Sequence, residues 1–290
     1  MAGSKYAYVR NFELPDPLLP GTFLVFRLDG HSFHRFSTEH QFTKPNDVQA
    51  LMLMDHAARD VMEEYKDIVL AFGESDEYSF LLRKSTSLYN RRESKICSTL
   101  TSYFTSCYVF HWKEYFPDSP LLYPPSFDGR IVVYPSSREI RDYFSWRQAD
   151  THINNLYNTI FWALVQQGGK TTTDAHAALR GTVSSQKHEM LFKSFGVNYN
   201  EIDARFRKGS ILVRDIEDEP APPELPEPTP ASSTAGDQSI SEPTSAAEVS
   251  HKPLKQKKNK AQPKAKTKIN LLHCDIIKDE FWDARPHLLE

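Results

Sequence analysis

Three apolar runs near carboxylates mark the first third of the chain. Phe23–Leu28 is almost continuously apolar and leads directly into Asp29-Gly30, while Ile68–Ala71 and Tyr78–Leu82 flank a stretch rich in acidic residues. Short apolar runs bounded by turn residues predict buried strands, so we expect a strand at each run and a tight turn at 73–75. The two later strands then form a hairpin that carries carboxylates at the rim of a sheet.

Longer segments repeat their apolar residues with the period of an α-helix. The two main stripes consist of Leu51, Met54, Ala58, Val61 and Tyr65, and of Ile96, Leu100, Phe104, Cys107 and Phe110. Further patterns predict strands at 131–134 and 209–214, and helices at 139–146, 148–166, 172–179 and 184–192. The order strand, helix, hairpin, helix, strand is typical of a split βαβ sheet. We therefore predict an α+β fold, a ferredoxin-like antiparallel sheet with helices on one face.

Composition divides the rest of the chain. Six prolines fall between Pro220 and Pro230, and eight lysines with no acidic residue fall within 252–268. Such segments cannot bury enough apolar surface to order themselves, although a lysine run is also compatible with loose RNA binding or a nuclear signal. The predicted organisation has four parts: a sheet domain at 1–135, a helical continuation with the final strand at 136–216, a disordered insert at 217–268, and a C-terminal segment at 269–290 that docks back on the body.

The bulk composition narrows the class of protein. The formal net charge of the 290 residues is −3, so a nucleic-acid partner would have to be held by local basic patches. The three cysteines have neither metal-ligand nor disulfide spacing, which is typical of a reducing compartment. The first residues carry no apolar core of a secretory signal, and no run approaches the roughly 18 apolar residues of a membrane span. We expect a cytoplasmic or nuclear protein, or one found in both, without a membrane partner.

Asp29 and Asp76 are the leading candidates for chemistry. If the first strand lies beside the hairpin, the two carboxylates meet at one edge of the sheet, and such hard oxygen ligands suit Mg²⁺. Two Mg²⁺ ions about 4 Å apart can stabilise the attacking and leaving oxygens of a phosphoryl displacement. Aspartate is also common in ordinary turns, and Asp-Gly is a frequent turn dipeptide. From these residues alone, a metal site and two structural turns are both open.

Other polar residues could also serve either a functional or a purely structural role. His31 and His34 follow Gly30 at a predicted helix start, where backbone N–H groups receive phosphate oxygens, but single histidines are also common at surfaces. Lys44 is either a nucleotide contact or a solvated lysine beside a helix cap. The cations within 91–95 could grip a triphosphate or simply open an exposed helix.

Two later clusters of polar residues also allow both a binding role and a structural role. The polar cluster at 152–158 could bind sugars, base edges or phosphates, or could serve capping and helix contacts. Arg205, Arg207 and Lys208 form either a patch for an RNA backbone or a solvated charge cluster.

Taken together, these segments resemble one family closely, the eukaryotic tRNA-histidine guanylyltransferases. The likeness covers 1–216 and 269–290, whereas the Pro- and Lys-rich stretch between them has no counterpart. Several long motifs in one order make it specific. They are Lys5–Phe12, Arg27–Phe36, Lys44–Asp47, Gly73–Phe80, Tyr123–Pro125, Phe127–Arg130, Ser145–Asp150, His152–Asn158 and Leu272–Ile277.

The resemblance implies a fold and a reaction. The family has a palm domain like that of template-dependent DNA polymerases, but adds nucleotides in the 3′-to-5′ direction. ATP is expected to adenylylate the 5′-monophosphate of tRNA-histidine, after which the 3′-hydroxyl of GTP attacks and releases AMP. Loss of pyrophosphate then leaves an added G at position −1. The resemblance also implies two Mg²⁺ ions and a homotetramer that shares each tRNA between subunits.

The resemblance assigns roles residue by residue. Asp29 and Asp76 match metal-bridging carboxylates, with the Gly30 carbonyl as a further ligand. Glu77 matches a residue that the family needs, although a regular strand would turn it away from Asp76. The remaining matches are nucleotide contacts at Asp29, Gly30, His31, Ser32, Phe33, His34, Ser75 and Asp76, a triphosphate grip at Arg92 and Lys95, positions tied to the activation step at Arg27, Lys44, His152 and Lys187, and tRNA contacts at Asn198 and Lys208.

Two other classes of protein compete with this interpretation. A nucleotide cyclase or dinucleotide synthase also uses a palm-like sheet with paired aspartates. A tRNA-binding module with an inactive site is the third possibility. The basic patches favour an RNA substrate over a free nucleotide, and the presence of both aspartates argues against an inactive site.

Overall fold

The computed structural model describes residues 4–216 and 267–290, so the predicted insert at 217–268 lies almost entirely outside the described residues. The strands are β1 (Phe23–Gly30), β2 (Ile68–Glu74), β3 (Glu77–Leu82), β4 (Phe127–Tyr134), β5 (Ser210–Ile216) and β6 (Thr267–Leu272). The α-helices are α1 (Phe33–Glu39), α2 (Val48–Glu64), α3 (Glu93–Tyr115), α4 (Ser137–Gln166), α5 (Thr172–Leu179), α6 (Ser184–Phe195), α7 (Ala204–Lys208) and α8 (Asp279–Asp283).

The strands form a sheet in the order β4-β1-β3-β2-β5-β6. β1 pairs antiparallel with β3 and β4, and β2 pairs antiparallel with β3 and β5. The first four strands therefore have the order of a split βαβ sheet, with β3 inserted between β1 and β2. The predicted α+β class with a palm-like antiparallel sheet is confirmed.

Helices cover both faces of this sheet, so the prediction of helices on one face was wrong. Alternate residues of β1 contribute to two separate cores: Phe26 packs with residues of α2 and α3, and Val25 packs with residues of α4 and α8. A strand that is buried on both faces is apolar at consecutive positions, because neither side chain direction meets water. The unbroken apolar run in β1 was the signal for the second layer.

α4 is one continuous helix of 30 residues, where the sequence predicted two. Arg147 and Gln148 interrupt its apolar stripe, but both side chains are buried. The Gln148 side chain donates to the carbonyls of Lys208 and Cys274 and accepts from the backbone N–H of Ile276. These polar residues are buried contacts and do not mark a helix end. The second half of α4 packs with α5 and α6 around a third apolar cluster.

Two smaller differences concern turns and strand ends. The hairpin turn consists of Ser75 and Asp76, because Glu74 and Glu77 form the last pair of β2 and β3. β4 begins at Phe127, in a segment that looked like a Pro-rich turn.

One residue of the predicted buried stripe of α3 is not buried. Phe110 is 80% exposed, whereas Tyr108 and Trp112 of the same helix are buried in the core.

Candidate functional site

The end of β1 and the hairpin turn bring Asp29 and Asp76 together. Asp29 lies opposite Glu77 in the β1–β3 register, and the Gly30 N–H donates to the Asp76 carbonyl at 3.0 Å. A Cβ atom on Gly30 would lie only 2.7 Å from Asp76 Oδ2 and 2.4 Å from the Phe33 ring. Glycine is therefore required here by close approach, and its absence of a side chain lets the Asp76 carboxylate lie against the end of β1.

Glu77 is held by two arginines. Arg27, two residues before Asp29 on the same face of β1, donates to Glu77 Oε2, and its guanidinium lies 3.6 Å from Asp29 Oδ2. Arg147 of α4 donates to both Glu77 oxygens at 3.0 and 3.1 Å, and its other terminal nitrogen donates to Asp150. The Glu77 carboxylate is thus neutralised from both sides, and its acceptor positions face the arginines.

Negative charge is concentrated beside this cluster. Burial raises the pKa of Glu74 to about 7. A hydrogen bond from Thr151 lowers this pKa, and the nearby negative charge of Glu77 raises it. Burial also raises the pKa of Asp76, and the charges of Asp29 and Glu77 act in the same direction. Repulsion among neighbouring carboxylates of this kind is relieved by binding a cation or a proton.

These carboxylates line a cleft of about 1050 Å³ between the sheet end, the start of α2 and the middle of α4. Of the predicted site residues, Arg27, Asp29, Phe33, His34, Lys44, Ser75, Asp76 and Glu77 line this cleft. Lys44 donates from Nζ to Ser37 Oγ at 2.9 Å. Burial lowers the pKa of Lys44, while the charges of Asp47 and Asp76 oppose that effect, so its ammonium lies close to the acidic cluster.

Three predicted residues lie at the edge of this site. The Gly30 backbone contacts Asp76 directly. Ser32 has a left-handed backbone (φ 56°), and α1 starts one residue later, at Phe33. His31 is exposed, and its N–H donates to the Ser126 carbonyl.

The predicted triphosphate grip is not part of the cleft lining. Arg92 and Lys95 are exposed. The neighbouring Arg91 donates to the Thr22 carbonyl, next to the start of β1. Cys97, two residues after Lys95, donates to the Gly129 carbonyl, and Gly129 lies opposite Leu28 in the β1–β4 register. A role for Arg92 and Lys95 in nucleotide binding stays a prediction.

A second group of predicted residues lies among the helices that follow the sheet. The His152 ring lies 5.4 Å from the Tyr199 ring and 6.1 Å from that of His188. Burial lowers the pKa of His152, and the charges of His188 and Arg207 lower it further. Neither His152 nor Lys187 lines the cleft, although their neighbours Thr151 and Tyr157 do.

The outer members of this group are more exposed. Lys187 donates to the Thr182 carbonyl, and its ammonium lies 6.0 Å from the Tyr157 ring centre. Asn198 is exposed and accepts from the Asn200 N–H, while Lys208 lies 3.9 Å from Asp275.

The sequence did not single out several buried polar residues in the cleft wall or directly behind it. Buried Asp55 accepts hydrogen bonds from Tyr78, Arg205 and Ser210. The Tyr108 hydroxyl is buried and has no hydrogen-bond partner among the described residues. These positions lie within apolar helical or strand patterns, and only the partners supplied by distant segments distinguish them from core residues.

Trp146 also lines the cleft and was not predicted. Its ring is 53% exposed, and one face is covered by the Arg147 guanidinium at 3.4 Å. Since Arg147 also holds Glu77, the indole is tied to the acidic cluster. An exposed ring of this kind offers a stacking surface for a nucleobase.

A palm-like antiparallel sheet with paired carboxylates in a large cleft defines the class as the palm-type enzymes that act on nucleotides. Two family models match the chain, "tRNAHis guanylyltransferase" over residues 6–135 and "Thg1 C terminal domain" over 138–278. A tRNA(His) guanylyltransferase of Neurospora crassa is 51% identical over 297 residues, covering 100% of this chain and 96% of that protein. The protein of that name from Schizosaccharomyces pombe is 47% identical over 288 residues, covering 99% and 98%. The chain belongs to the tRNAHis guanylyltransferase family.

Solved structures agree with this family assignment. The crystal structure of the Saccharomyces cerevisiae tRNA(His) guanylyltransferase is 49% identical, with a TM-score of 0.70 over 72% of this chain and 93% of that one. A bacterial guanylyltransferase-like protein in complex with ATP has the same fold at 23% identity, with a TM-score of 0.60 over 71% and 85% of the two chains. The predicted family and the prediction of a nucleotidyltransferase are confirmed. Among the described residues, no helix has the length and apolar character needed to cross a membrane.

Proposed function

We propose that this enzyme adds a G at position −1 to the 5′ end of tRNA-histidine. The observation that carries the proposal is that the Asp76 carboxylate lies against the end of β1 that carries Asp29, in a cleft of about 1050 Å³ that both aspartates line. Bacterial proteins of this fold in complex with ATP and with GTP support the same two substrates here. An oxygen of the tRNA 5′-monophosphate attacks the α-phosphorus of ATP and releases pyrophosphate. The 3′-hydroxyl of GTP then attacks the activated 5′-phosphorus and releases AMP, and pyrophosphate is later removed from the added nucleotide.

The donor set at the sheet end fits Mg²⁺. The Asp29 and Asp76 carboxylates and the Gly30 carbonyl are hard oxygen ligands, and the raised pKa of Asp76 reflects burial together with crowded negative charge. When bound, two Mg²⁺ ions supply charge neutralisation at the attacking and leaving oxygens. In this proposal Glu77 is a positioning residue, because Arg27 and Arg147 occupy its carboxylate.

The other site residues divide between nucleotide and RNA. Phe33, His34, Lys44 and Ser75 line the cleft beside the carboxylates and are proposed to contact the nucleotide, together with His31 and Ser32 at its edge. Lys44 supplies positive charge next to Asp76. His152 and Lys187 serve the activation step, and Asn198 and Lys208 contact tRNA. Arg92 and Lys95, which are exposed and do not line this cleft, would grip a triphosphate.

The assembly and compartment are part of the same proposal. We expect a homotetramer that shares each tRNA between subunits, as the family resemblance implies. Such sharing would give residues outside this cleft, including Arg92 and Lys95, a place in a site built by two chains. We expect the enzyme to work in the cytoplasm, the nucleus or both.

The test is incubation of the protein with 5′-phosphorylated tRNA-histidine, ATP, labelled GTP and Mg²⁺. Label at the RNA 5′ end that requires ATP supports the proposal, and a matched tRNA with another anticodon tests selectivity. A cyclic or linked nucleotide without labelled RNA would instead indicate a cyclase or dinucleotide synthase. RNA binding without any product would indicate an inactive binding module.

A further inference from the structure

Two histidines and a carboxylate converge between α2 and α3, outside the cleft. His56 and Asp60 lie one turn apart on α2, and His111 faces them from α3. One ligand atom from each of the three lies within 4.8 Å of the other two. Among the described residues, no other group of three histidine, cysteine or acidic side chains is gathered in this way.

Both imidazoles present Nε2 to the same carboxylate and use Nδ1 for another partner. His111 Nε2 lies 2.7 Å from Asp60 Oδ2, and His56 Nε2 lies 3.8 Å from Asp60 Oδ1. His111 Nδ1 lies 2.7 Å from Glu114 Oε1, and His56 Nδ1 lies 3.0 Å from the Tyr115 hydroxyl. Metal-ligating histidines usually bond through their other ring nitrogen to a carboxylate, carbonyl or water, which orients the ring. The cluster therefore has three ligands and an outer partner for each imidazole.

We propose that His56, Asp60 and His111 form a binding site for a divalent transition metal ion of the zinc type, which links α2 to α3. Two imidazoles and one carboxylate favour Zn²⁺ over Mg²⁺, which prefers oxygen ligands alone. Neighbouring ligands of a tetrahedral zinc ion are about 3.4 Å apart, since each lies about 2.1 Å from the metal. The observed separations of 2.7 and 3.8 Å from Asp60 lie on either side of that value. Three protein ligands leave a fourth position for water.

Metal binding requires a small rearrangement of the rings. Their centres are 3.7 Å apart and their planes differ by 20°, so the imidazoles are nearly parallel. One ion can lie close to both ring planes only if the rings turn apart. The side chains of His56, Asp60 and His111 are 12 to 28% exposed, so each of the three reaches solvent.

A proton is the alternative to a metal ion at the ring nitrogens of His56 and His111. Burial alone would lower the pKa of His111, but hydrogen bonds to Glu114 and Asp60 and their negative charges outweigh burial and raise it. A network that only binds protons needs no metal, and the experiment has to separate the two cases.

The test uses the full chain, stripped of metal with a chelator and kept in excess Mg²⁺. Calorimetric titration with Zn²⁺ and with Co²⁺ is expected to show one site, and bound Co²⁺ should give the visible absorption bands of tetrahedral coordination. His56→Gln and His111→Gln each remove a ligand and should weaken binding more than tenfold. Glu114→Gln keeps all three ligands and should weaken binding by about tenfold, the lower end for loss of an outer partner.

His287→Gln is the matched control, because this histidine bonds to the Arg214 carbonyl far along the chain from the cluster. It should leave metal affinity unchanged, and Zn²⁺ should raise the melting temperature of the wild type and of this control but not of His56→Gln or His111→Gln. Circular dichroism of each metal-free variant checks that it folds. Nucleotide addition in Mg²⁺ should be unchanged in all of them, so failure of this proposal is distinct from failure of the proposed function. Absence of Zn²⁺ and Co²⁺ binding in the wild type, or equal binding after both histidines are replaced, would overturn the site.

Discussion

The sheet end around Glu77 and the helical region around His152 hold their polar residues by different means. At the sheet end, strand register sets the backbone, and Arg27 and Arg147 clamp the Glu77 carboxylate. Among the helices, the His152 ring packs against two other rings, and burial disfavours its protonated, charged form. The first region depends on balanced charge and the second on keeping a side chain neutral. Substitutions in the two regions should therefore differ in size and in their dependence on pH.

The largest effect is expected from Asp76→Asn at the sheet end. Loss of a proposed Mg²⁺ ligand should reduce nucleotide addition by about a thousandfold, which corresponds to about 4 kcal/mol of transition-state stabilisation. Binding of tRNA should be largely retained, because the shape of the side chain is conserved. Single-turnover assays and filter binding measure the two quantities, with Asp142→Asn, at an exposed position of α4, as the control. Undiminished turnover in Asp76→Asn would refute the metal assignment.

Glu77→Gln should mainly change stability. The substitution leaves buried Arg147 and partly exposed Arg27 without their shared carboxylate, and breaking a buried ion pair costs about 3 kcal/mol. Urea denaturation should show this loss, whereas Glu189→Gln, which breaks an exposed pair with Lys193, should change stability by less than about 0.5 kcal/mol.

The same variant distinguishes the two roles of Glu77. If Glu77 only positions Arg27 and Arg147, added Mg²⁺ should raise the melting temperatures of the wild type and of Glu77→Gln equally. A response to Mg²⁺ in the wild type alone would make Glu77 a metal ligand.

Tyr78→Phe tests the network that joins the sheet to α7. The Tyr78 hydroxyl donates to Asp55 at 2.7 Å, and Asp55 also accepts from Arg205. Removing one neutral donor while the charged partner stays should cost about 1 kcal/mol, measured by urea denaturation. A loss above about 3 kcal/mol would mean that the network, and not the single bond, depends on this hydroxyl.

The smallest effect on stability is expected from His152→Gln, and it should appear only at low pH. The pKa of folded His152 is lower than its ordinary value of 6.5, so above pH 6.5 both folded and unfolded chains carry a neutral ring. As the pH falls below 6.5, the unfolded chain takes up the proton first, and the wild type loses stability. Glutamine cannot be protonated, so the stability of the His152→Gln variant relative to the wild type should increase as the pH falls from 7 to 5. Parallel melting curves from pH 8 to pH 5 check this, and identical pH dependence would contradict the neutral buried ring.

Much of the site was accessible from the sequence because it follows strand ends. Asp29 and Asp76 were predictable, since apolar runs locate the strands and acidic residues follow them directly. The two arginines around Glu77 were harder. Arg27 lies in a strand and Arg147 in a helix predicted to break there, and nothing in either local pattern indicates that they share one carboxylate.

The sequence alone determined five of the six described strands, most of the helices and the family, because these depend on local periodicity and on motifs that are contiguous in the chain. Only the tertiary structure decided which faces of the sheet are covered, that α4 is continuous through Arg147, that Tyr108 lines the cleft, and that buried Asp55 is paired with Arg205. Burial of a polar side chain depends on partners from distant segments. The pairing of those segments is a property of the packed sheet and helices, and local sequence does not contain it.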